Sequence, residues 1–135
     1  MKFSWPVRVY YEDTDSGGVV YYANYLKFFE RARTEFLRQF DLQQDQLIEQ
    51  QNILFAVRNI TVDYNKPAVF NDLLTVTTEI IELKKASLVF KQSIQRDGDE
   101  KILCQAICKV ACLLADQLKP AAIPEVIVQL LENNS

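Results

Sequence analysis

The sequence predicts an α+β fold in which one long helix packs against a five-stranded antiparallel sheet. Apolar residues recur at helical spacing between residues 25 and 40. From residue 53 onward the pattern changes to the alternation with a period of two that is typical of strands. Turn-forming residues divide this alternating part into four strands: Asn65-Lys66-Pro67, Lys84-Lys85 and Asp97-Gly98. The 135 residues fit one domain, predicted over residues 1–135.

The individual elements follow in chain order. A short strand is predicted over residues 7–12, then a polar turn at 13–18, and Asn24 is a suitable N-cap for a helix over 25–40. Residues 41–52 are expected to hold a short second helix and a loop. Strands are predicted at 53–64, 73–83, 87–96 and 101–116, and a last helix at 124–132. We expect the four later strands to form an antiparallel meander, with Asp97-Gly98 as a hairpin turn.

Charged residues of the long helix are spaced to pair with one another. Glu30 and Arg33 lie three positions apart, and Arg31 and Glu35 lie four apart. Such pairs meet on a helix surface. Both pairs are therefore predicted on the solvated face.

Three cysteines lie in the last predicted strand. Cys104, Cys108 and Cys112 alternate with other apolar residues on one face of that strand. Four strand residues span about 13 Å, too far for shared metal coordination. We therefore predict that the cysteines are buried core residues and that the chain has no metal site.

The composition excludes several classes of protein. There is no histidine, which removes Ser-His-Asp and Cys-His nucleophilic systems and His-ligated zinc catalysis. Three glycines do not suffice for a dinucleotide-binding or phosphate-binding loop, and no cofactor is expected. The net charge of −3 comes without a basic stripe, so nucleic-acid binding is not expected. No apolar run is long enough to span a membrane, and no secretory leader is recognisable, which favours a cytoplasmic protein.

Residues 11–25 hold most of the residues suited to chemistry. Carboxylates, two glycines and several tyrosines lead from a strand end into the long helix. Capping of the helix would explain the carboxylates by itself. Glycines, however, let backbone N–H groups approach a ligand closely, and the first N–H groups of a helix are available to an oxyanion.

The same segment resembles a known family. Its pattern Asp-x-Asp-x-x-Gly-x-Val-x-Tyr-x-Asn-Tyr, from Asp13 to Tyr25, is similar to the signature of the 4-hydroxybenzoyl-CoA thioesterase branch of the hotdog superfamily. Residues 30–35, 62–68 and 85–90 resemble the helix and strands of that branch, and the similarity covers nearly the whole chain. Residues 5–15 are most similar to the bacterial Tol-Pal-associated, YbgC-like subfamily. The resemblance implies a hotdog fold, with a five-stranded antiparallel sheet wrapped around a central helix, and hydrolysis of acyl-CoA thioesters.

The resemblance also implies the site residues. The catalytic carboxylate is the second Asp of the pattern, here Asp15, either as nucleophile or as general base for water. Backbone donors near Tyr22 and Asn24 would polarise the carbonyl. Tyr22 is therefore grouped with the catalytic residues, and the substrate contacts are Gly18, Val19, Asn24 and Tyr25. Asp13 is expected to support the turn.

One position departs from the subfamily pattern, which usually has His where this chain has Tyr22. The 4-hydroxybenzoyl branch carries Tyr there, so activity is compatible with the change, but no imidazole is present to relay a proton. The expected substrates are short-chain, medium-chain or aromatic acyl-CoA, with acyl carrier protein as an alternative acyl donor. The family assembly is a homodimer with a continuous sheet, often doubled to a homotetramer.

Two other functions fit the same fold. A hotdog dehydratase requires a catalytic His, which this chain lacks. A non-catalytic module that binds acyl-CoA or acyl carrier protein would keep the pocket and dispense with the acid. The presence of Asp15 favours the enzyme over this module.

Overall fold

The sheet has five antiparallel strands in the order β1-β3-β4-β5-β2. A computed structural model describes residues 2–134. The strands are β1 (Phe3–Arg8), β2 (Ile53–Tyr64), β3 (Leu73–Leu83), β4 (Ser87–Arg96) and β5 (Ile102–Leu114). The helices are α1 (Asn24–Arg38), α2 (Gln44–Gln51) and α3 (Glu125–Asn133). The predicted bounds of β2, β3 and β4 are confirmed, and those of α1, α3 and β5 hold to within two residues. The short second helix lies within residues 41–52, as predicted.

The first strand differs from its prediction. The strand covers Phe3–Arg8, while Tyr11–Asp13 form a short 3₁₀ turn. The Asp13 carboxylate accepts a hydrogen bond from the Tyr10 N–H at 2.8 Å and closes the chain into this turn. The observed strand therefore begins and ends four residues earlier than the predicted one.

The predicted meander is wrong for one strand. Strands β3, β4 and β5 are consecutive neighbours, but β2 pairs with β5 and not with β3. The place beside β3 is taken by β1. Both β1 and β2 are thus edge strands, and α1, which lies between them in sequence, packs against the sheet.

Two apolar clusters fill the space between α1 and the sheet. The first apolar cluster is centred on Phe28, Phe29 and Ala32 of α1, and the second on Phe36 and Leu37. The aromatic rings of α1 are packed edge to face, as between Phe36 and Phe90, whose centroids lie 5.6 Å apart. Burial of these large side chains is the main contribution that fixes α1 on the sheet.

A buried polar network separates the two clusters. Gln92 donates to the Phe29 carbonyl oxygen at 2.9 Å and to Thr78 Oγ1 at 3.0 Å, and accepts from Arg33 Nη1 at 2.9 Å. On β4, Gln92 lies between Ile94 of the first cluster and Phe90 of the second. We call these groups the Gln92 network. It satisfies each buried polar atom at the boundary, as low-dielectric surroundings require.

Arg33 therefore corrects a prediction. Its side chain is buried and bonds to Gln92, whereas the sequence suggested a solvated pair with Glu30. The ion pair that α1 does form among the described residues joins Arg38 and Glu35 at 3.1 Å. Helical spacing brings Glu30 near Arg33 but does not determine which of the two turns toward the sheet.

The cysteines are core residues, as predicted. Cys104, Cys108 and Cys112 are free thiols and fully buried on the face of β5 that contacts α1. Burial, with the nearby charge of Asp63, raises the pKa of Cys104 to about 12. These thiols are protonated at neutral pH and poorly suited to nucleophilic chemistry.

Candidate active site

Asp15 lies in a tight turn between β1 and α1. Its N–H donates to the Val19 carbonyl oxygen at 2.9 Å, and its own carbonyl oxygen accepts from the Gly18 N–H at 3.0 Å. Gly18 has φ of +79°, which side chains of L-residues rarely adopt. The turn thus depends on glycine at position 18.

The Asp15 side chain is exposed and is held by its own turn. Oδ1 accepts a hydrogen bond from the Gly17 N–H at 2.8 Å, and within residues 2–134 no hydrogen bond to Oδ2 is formed. A Cβ atom at position 17 would lie 3.2 Å from Oδ1, closer than ordinary contact. Glycine at 17 therefore lets the backbone approach the carboxylate, and one carboxylate oxygen stays available to a reactant.

Asp13 and Asn24 connect the turn to α1. The Asp13 carbonyl oxygen accepts from the Tyr21 N–H at 2.9 Å and from Asn24 Nδ2 at 2.8 Å. The predicted N-cap is therefore wrong: the cap position is Ala23, and Asn24 is the first residue of α1, with its side chain directed to Asp13. Asn24 joins the helix to the turn instead of capping the helix.

The start of α1 offers one of the two predicted backbone donors. The Asn24 N–H already donates to the Tyr21 carbonyl oxygen at 2.8 Å. The Tyr22 N–H has no acceptor within the described part of the chain. Such a free donor is suited to hold a carbonyl oxygen as negative charge develops on it.

A second loop, residues 67–72, holds the far side of the turn. The Val20 N–H donates to the Ala68 carbonyl oxygen at 2.9 Å, and Val19 forms an isolated bridge with Val69. Asp72 Oδ2 in turn accepts from the Val69 N–H at 2.9 Å and from Arg96 Nε at 3.0 Å. The role of the 67–72 loop was not predicted from the sequence, because its hydrogen bonds join segments that lie far apart in the chain.

Tyrosine side chains surround a cavity of about 230 Å³ next to the turn. We call it the tyrosine cavity; it is lined by Val20, Tyr22, Tyr25, Tyr64, Asn65, Lys66 and Pro67. Tyr25 is 3% exposed, its hydroxyl oxygen accepts from the Ala68 N–H at 2.9 Å, and burial raises its pKa. Tyr64 donates from its hydroxyl to the Tyr22 carbonyl oxygen at 3.2 Å. Among the predicted site residues, Tyr22 and Tyr25 line this cavity, while Asp15, Gly18, Val19 and Asn24 do not.

A larger cavity of about 630 Å³ lies elsewhere, between α1, α2 and the sheet. None of residues 15–25 lines it. This larger cavity is therefore distinct from the Asp15 turn.

Neither a group of metal-ligating side chains nor a membrane-spanning helix is present among the described residues. No group of three or more Asp, Glu or Cys side chains within residues 2–134 is placed to bind a metal ion. No helix in that range is long and apolar enough to cross a membrane.

Comparison with known proteins identifies related chains. Residues 9–131 match the family model of the thioesterase-like superfamily. The acyl-CoA thioesterase YbgC of Haemophilus influenzae is 50% identical over 91% of this chain and 89% of its own. A probable thioesterase from Bartonella henselae is 35% identical, with a TM-score of 0.85 over 92% of this chain and all of its own. A 4-hydroxybenzoyl-CoA thioesterase, solved with 4-hydroxybenzoyl-CoA, shares the fold, with a TM-score of 0.91 over 96% of this chain and 98% of its own at 21% identity. These matches confirm the predicted hotdog fold.

Proposed function

The chain belongs to the thioesterase-like superfamily, and we propose that it hydrolyses acyl-CoA thioesters with Asp15 as the catalytic carboxylate. The relatives named above support the reaction: water and the thioester give a free carboxylic acid and the CoA thiol. Because the named relatives are thioesterases, the enzyme is favoured over a non-catalytic binding module.

The observation that carries the role of Asp15 is the geometry of its carboxylate. Oδ1 is fixed by the Gly17 N–H at 2.8 Å, while the exposed side chain leaves Oδ2 without a protein partner among the described residues. An oriented, ionised carboxylate serves equally as nucleophile on the carbonyl carbon or as base toward water. Both roles need the group to be positioned before the substrate arrives, and the turn provides that.

The Tyr22 N–H complements the carboxylate. A thioester carbonyl gains negative charge as it becomes tetrahedral, and a fixed donor stabilises that charge more than it stabilises the substrate. The Tyr22 side chain is 61% exposed, and its ring contacts those of Tyr21 and Tyr64. We assign Tyr22 a catalytic role through its backbone N–H, the group that has no acceptor among the described residues.

The tyrosine cavity supports a short, medium-chain or aromatic acyl group as substrate. Its volume of about 230 Å³ is small, and its aromatic walls suit apolar groups. Gly18 and Val19 belong to the Asp15 turn next to the cavity. Tyr25 lines the cavity and is itself buried. Acyl carrier protein presents the same thioester and is the alternative acyl donor.

The test is thiol release from a panel of acyl-CoAs and acyl carrier protein, with two matched variants. Asp15→Asn should leave folding and acyl-CoA affinity nearly unchanged but lower turnover roughly 10²-fold or more, as for loss of a positioned acid-base group. Asp13→Asn, two residues away, should cost about 1 kcal/mol of unfolding free energy through its bond to the Tyr10 N–H, with much less effect on turnover.

Full turnover by Asp15→Asn would exclude the proposed role. Equal losses of turnover in Asp15→Asn and Asp13→Asn would indicate that both residues have the same structural role.

We also propose that the working unit is a homodimer or homotetramer in the cytoplasm. Strands β1 and β2 each have a partner on one side only, and exposed sheet edges are usually paired or covered. The three free, buried thiols fit a reducing compartment. Light scattering at micromolar concentration should give a mass of two or four chains; a monomer would contradict the assembly.

A further inference from the structure

Arg33 carries a buried charge without a counter-ion. The side chain is 9% exposed, and no carboxylate within residues 2–134 lies at ion-pair distance from it. Its one hydrogen bond is to the neutral Gln92 amide oxygen. A guanidinium stays charged at all physiological pH values, and removing it from water is costly unless an anion compensates.

The free side of this guanidinium faces the large cavity. Arg33 lines that cavity of about 630 Å³. No side-chain nitrogen of the described residues is both buried and unpartnered, so the Arg33 N–H groups that Gln92 does not bind are reachable from the cavity. Burial lowers the pKa of Arg33 by more than the nearby Cys108 and Glu30 raise it, so these groups compensate the buried charge only in part.

One part of the cavity wall is apolar. It consists of five side chains of the second apolar cluster: Leu37, Leu42, Phe55, Phe90 and Val110. The other lining residues besides Val57 are polar or charged: Glu30, Arg33, Thr34, Arg38, Gln43, Gln44 and Asp45. Glu30 also lines the cavity, but its carboxylate accepts from Thr34 at 3.3 Å and is not within ion-pair distance of Arg33. The cavity thus places the buried Arg33 guanidinium beside an apolar section of its wall.

We infer that this cavity binds a free aliphatic carboxylic acid, with the carboxylate on Arg33 and the chain along the apolar wall. A guanidinium and a carboxylate form charge-assisted hydrogen bonds, and a cavity of this size is typical of small-molecule sites. The choice of an acid rests on the proposed function, since hydrolysis of an acyl thioester releases this class of molecule. The site is separate from Asp15, so the product would occupy it without blocking the turn.

The probe is octanoate, with octanol as the uncharged molecule of equal length, measured by calorimetry on the intact protein. Octanoate should bind at least tenfold more tightly than octanol. Arg33→Gln should lose at least tenfold in octanoate affinity, and Arg33→Lys should retain part of it. Arg38→Gln is the matched control, because Arg38 lines the same cavity but is paired with Glu35. It should bind octanoate as the wild type does.

Three results would overturn the inference: equal binding of octanol and octanoate, unchanged affinity in Arg33→Gln, or loss of octanoate binding in Asp15→Asn, which would place the acid at the turn. Sedimentation of Arg33→Gln as a smaller species than the wild type would also overturn it, because Arg33 would then be a contact between subunits. If Arg33→Gln does not fold, Arg33→Lys and the octanol comparison decide. Thiol release by the same wild-type sample shows whether the proposed function holds independently.

Discussion

The Asp15 turn and the Gln92 network both fix polar side chains, but by different means. The Asp15 carboxylate is exposed and is oriented by backbone N–H groups of its own turn. Gln92 is 1% exposed and is oriented by side chains and a carbonyl from α1 and β3. At the exposed turn, water can replace a protein hydrogen bond that is lost, whereas the Gln92 side chain is buried away from solvent. The same kind of hydrogen bond should therefore govern reactivity at the first place and stability at the second.

Removal of Gln92 should give the largest loss of stability. Gln92→Leu removes the partner of Thr78 and of Arg33 and the second hydrogen bond to the Phe29 carbonyl, and buried polar groups left unsatisfied cost about 1–3 kcal/mol each. We expect the free energy of unfolding in urea to fall by about 3 kcal/mol or more. Gln95→Leu, on the same strand and with an exposed bond to Glu100, should cost far less. Similar losses in the two variants would mean that burial does not set the difference.

Two glycines with the same backbone conformation provide a finer comparison. Gly18 has φ of +79° in the Asp15 turn, and Gly98 has φ of +77° in the β4–β5 hairpin; a Cβ atom meets nothing within 4 Å at either. Alanine at each position should cost about 1 kcal/mol of unfolding free energy, the strain of the left-handed region. Turnover should fall in Gly18→Ala and stay unchanged in Gly98→Ala. A fall in both would show that activity follows general stability and not the geometry of the turn.

The sequence was informative where the pattern is local. The bounds of β2, β3 and β4 follow from alternation and turn residues, and the Asp13 to Gly18 turn from its acidic and glycine content. The pairing of β2 with β5 was missed, because strand order depends on contacts between distant segments. Arg33 was placed on the wrong face for a related reason: its partner Gln92 lies 59 residues away.

The site was predicted in part. The tight turn and its glycines take the form that the motif suggested, and Asp13 supports the turn as expected. Tyr64 and the Asp72–Arg96 pair were not assigned, because they reach the turn only through the folded sheet. Asn24 was predicted to cap the helix, but its side chain binds the Asp13 carbonyl oxygen. The sequence does not distinguish the two roles, because asparagine at the start of a helix suits both.

The division of the core has a consequence for how this enzyme changes through evolution. On α1, β3 and β4, a residue of the Gln92 network stands between side chains of the two apolar clusters, and Ile60 is the one partly buried residue of the described chain that packs against both. We therefore expect substitutions among Leu37, Leu42 and Phe55 to reshape the large cavity and to leave the first apolar cluster, which lies next to the Asp15 turn, largely unchanged. Such substitutions should change what the large cavity accepts at little cost to the rate of hydrolysis.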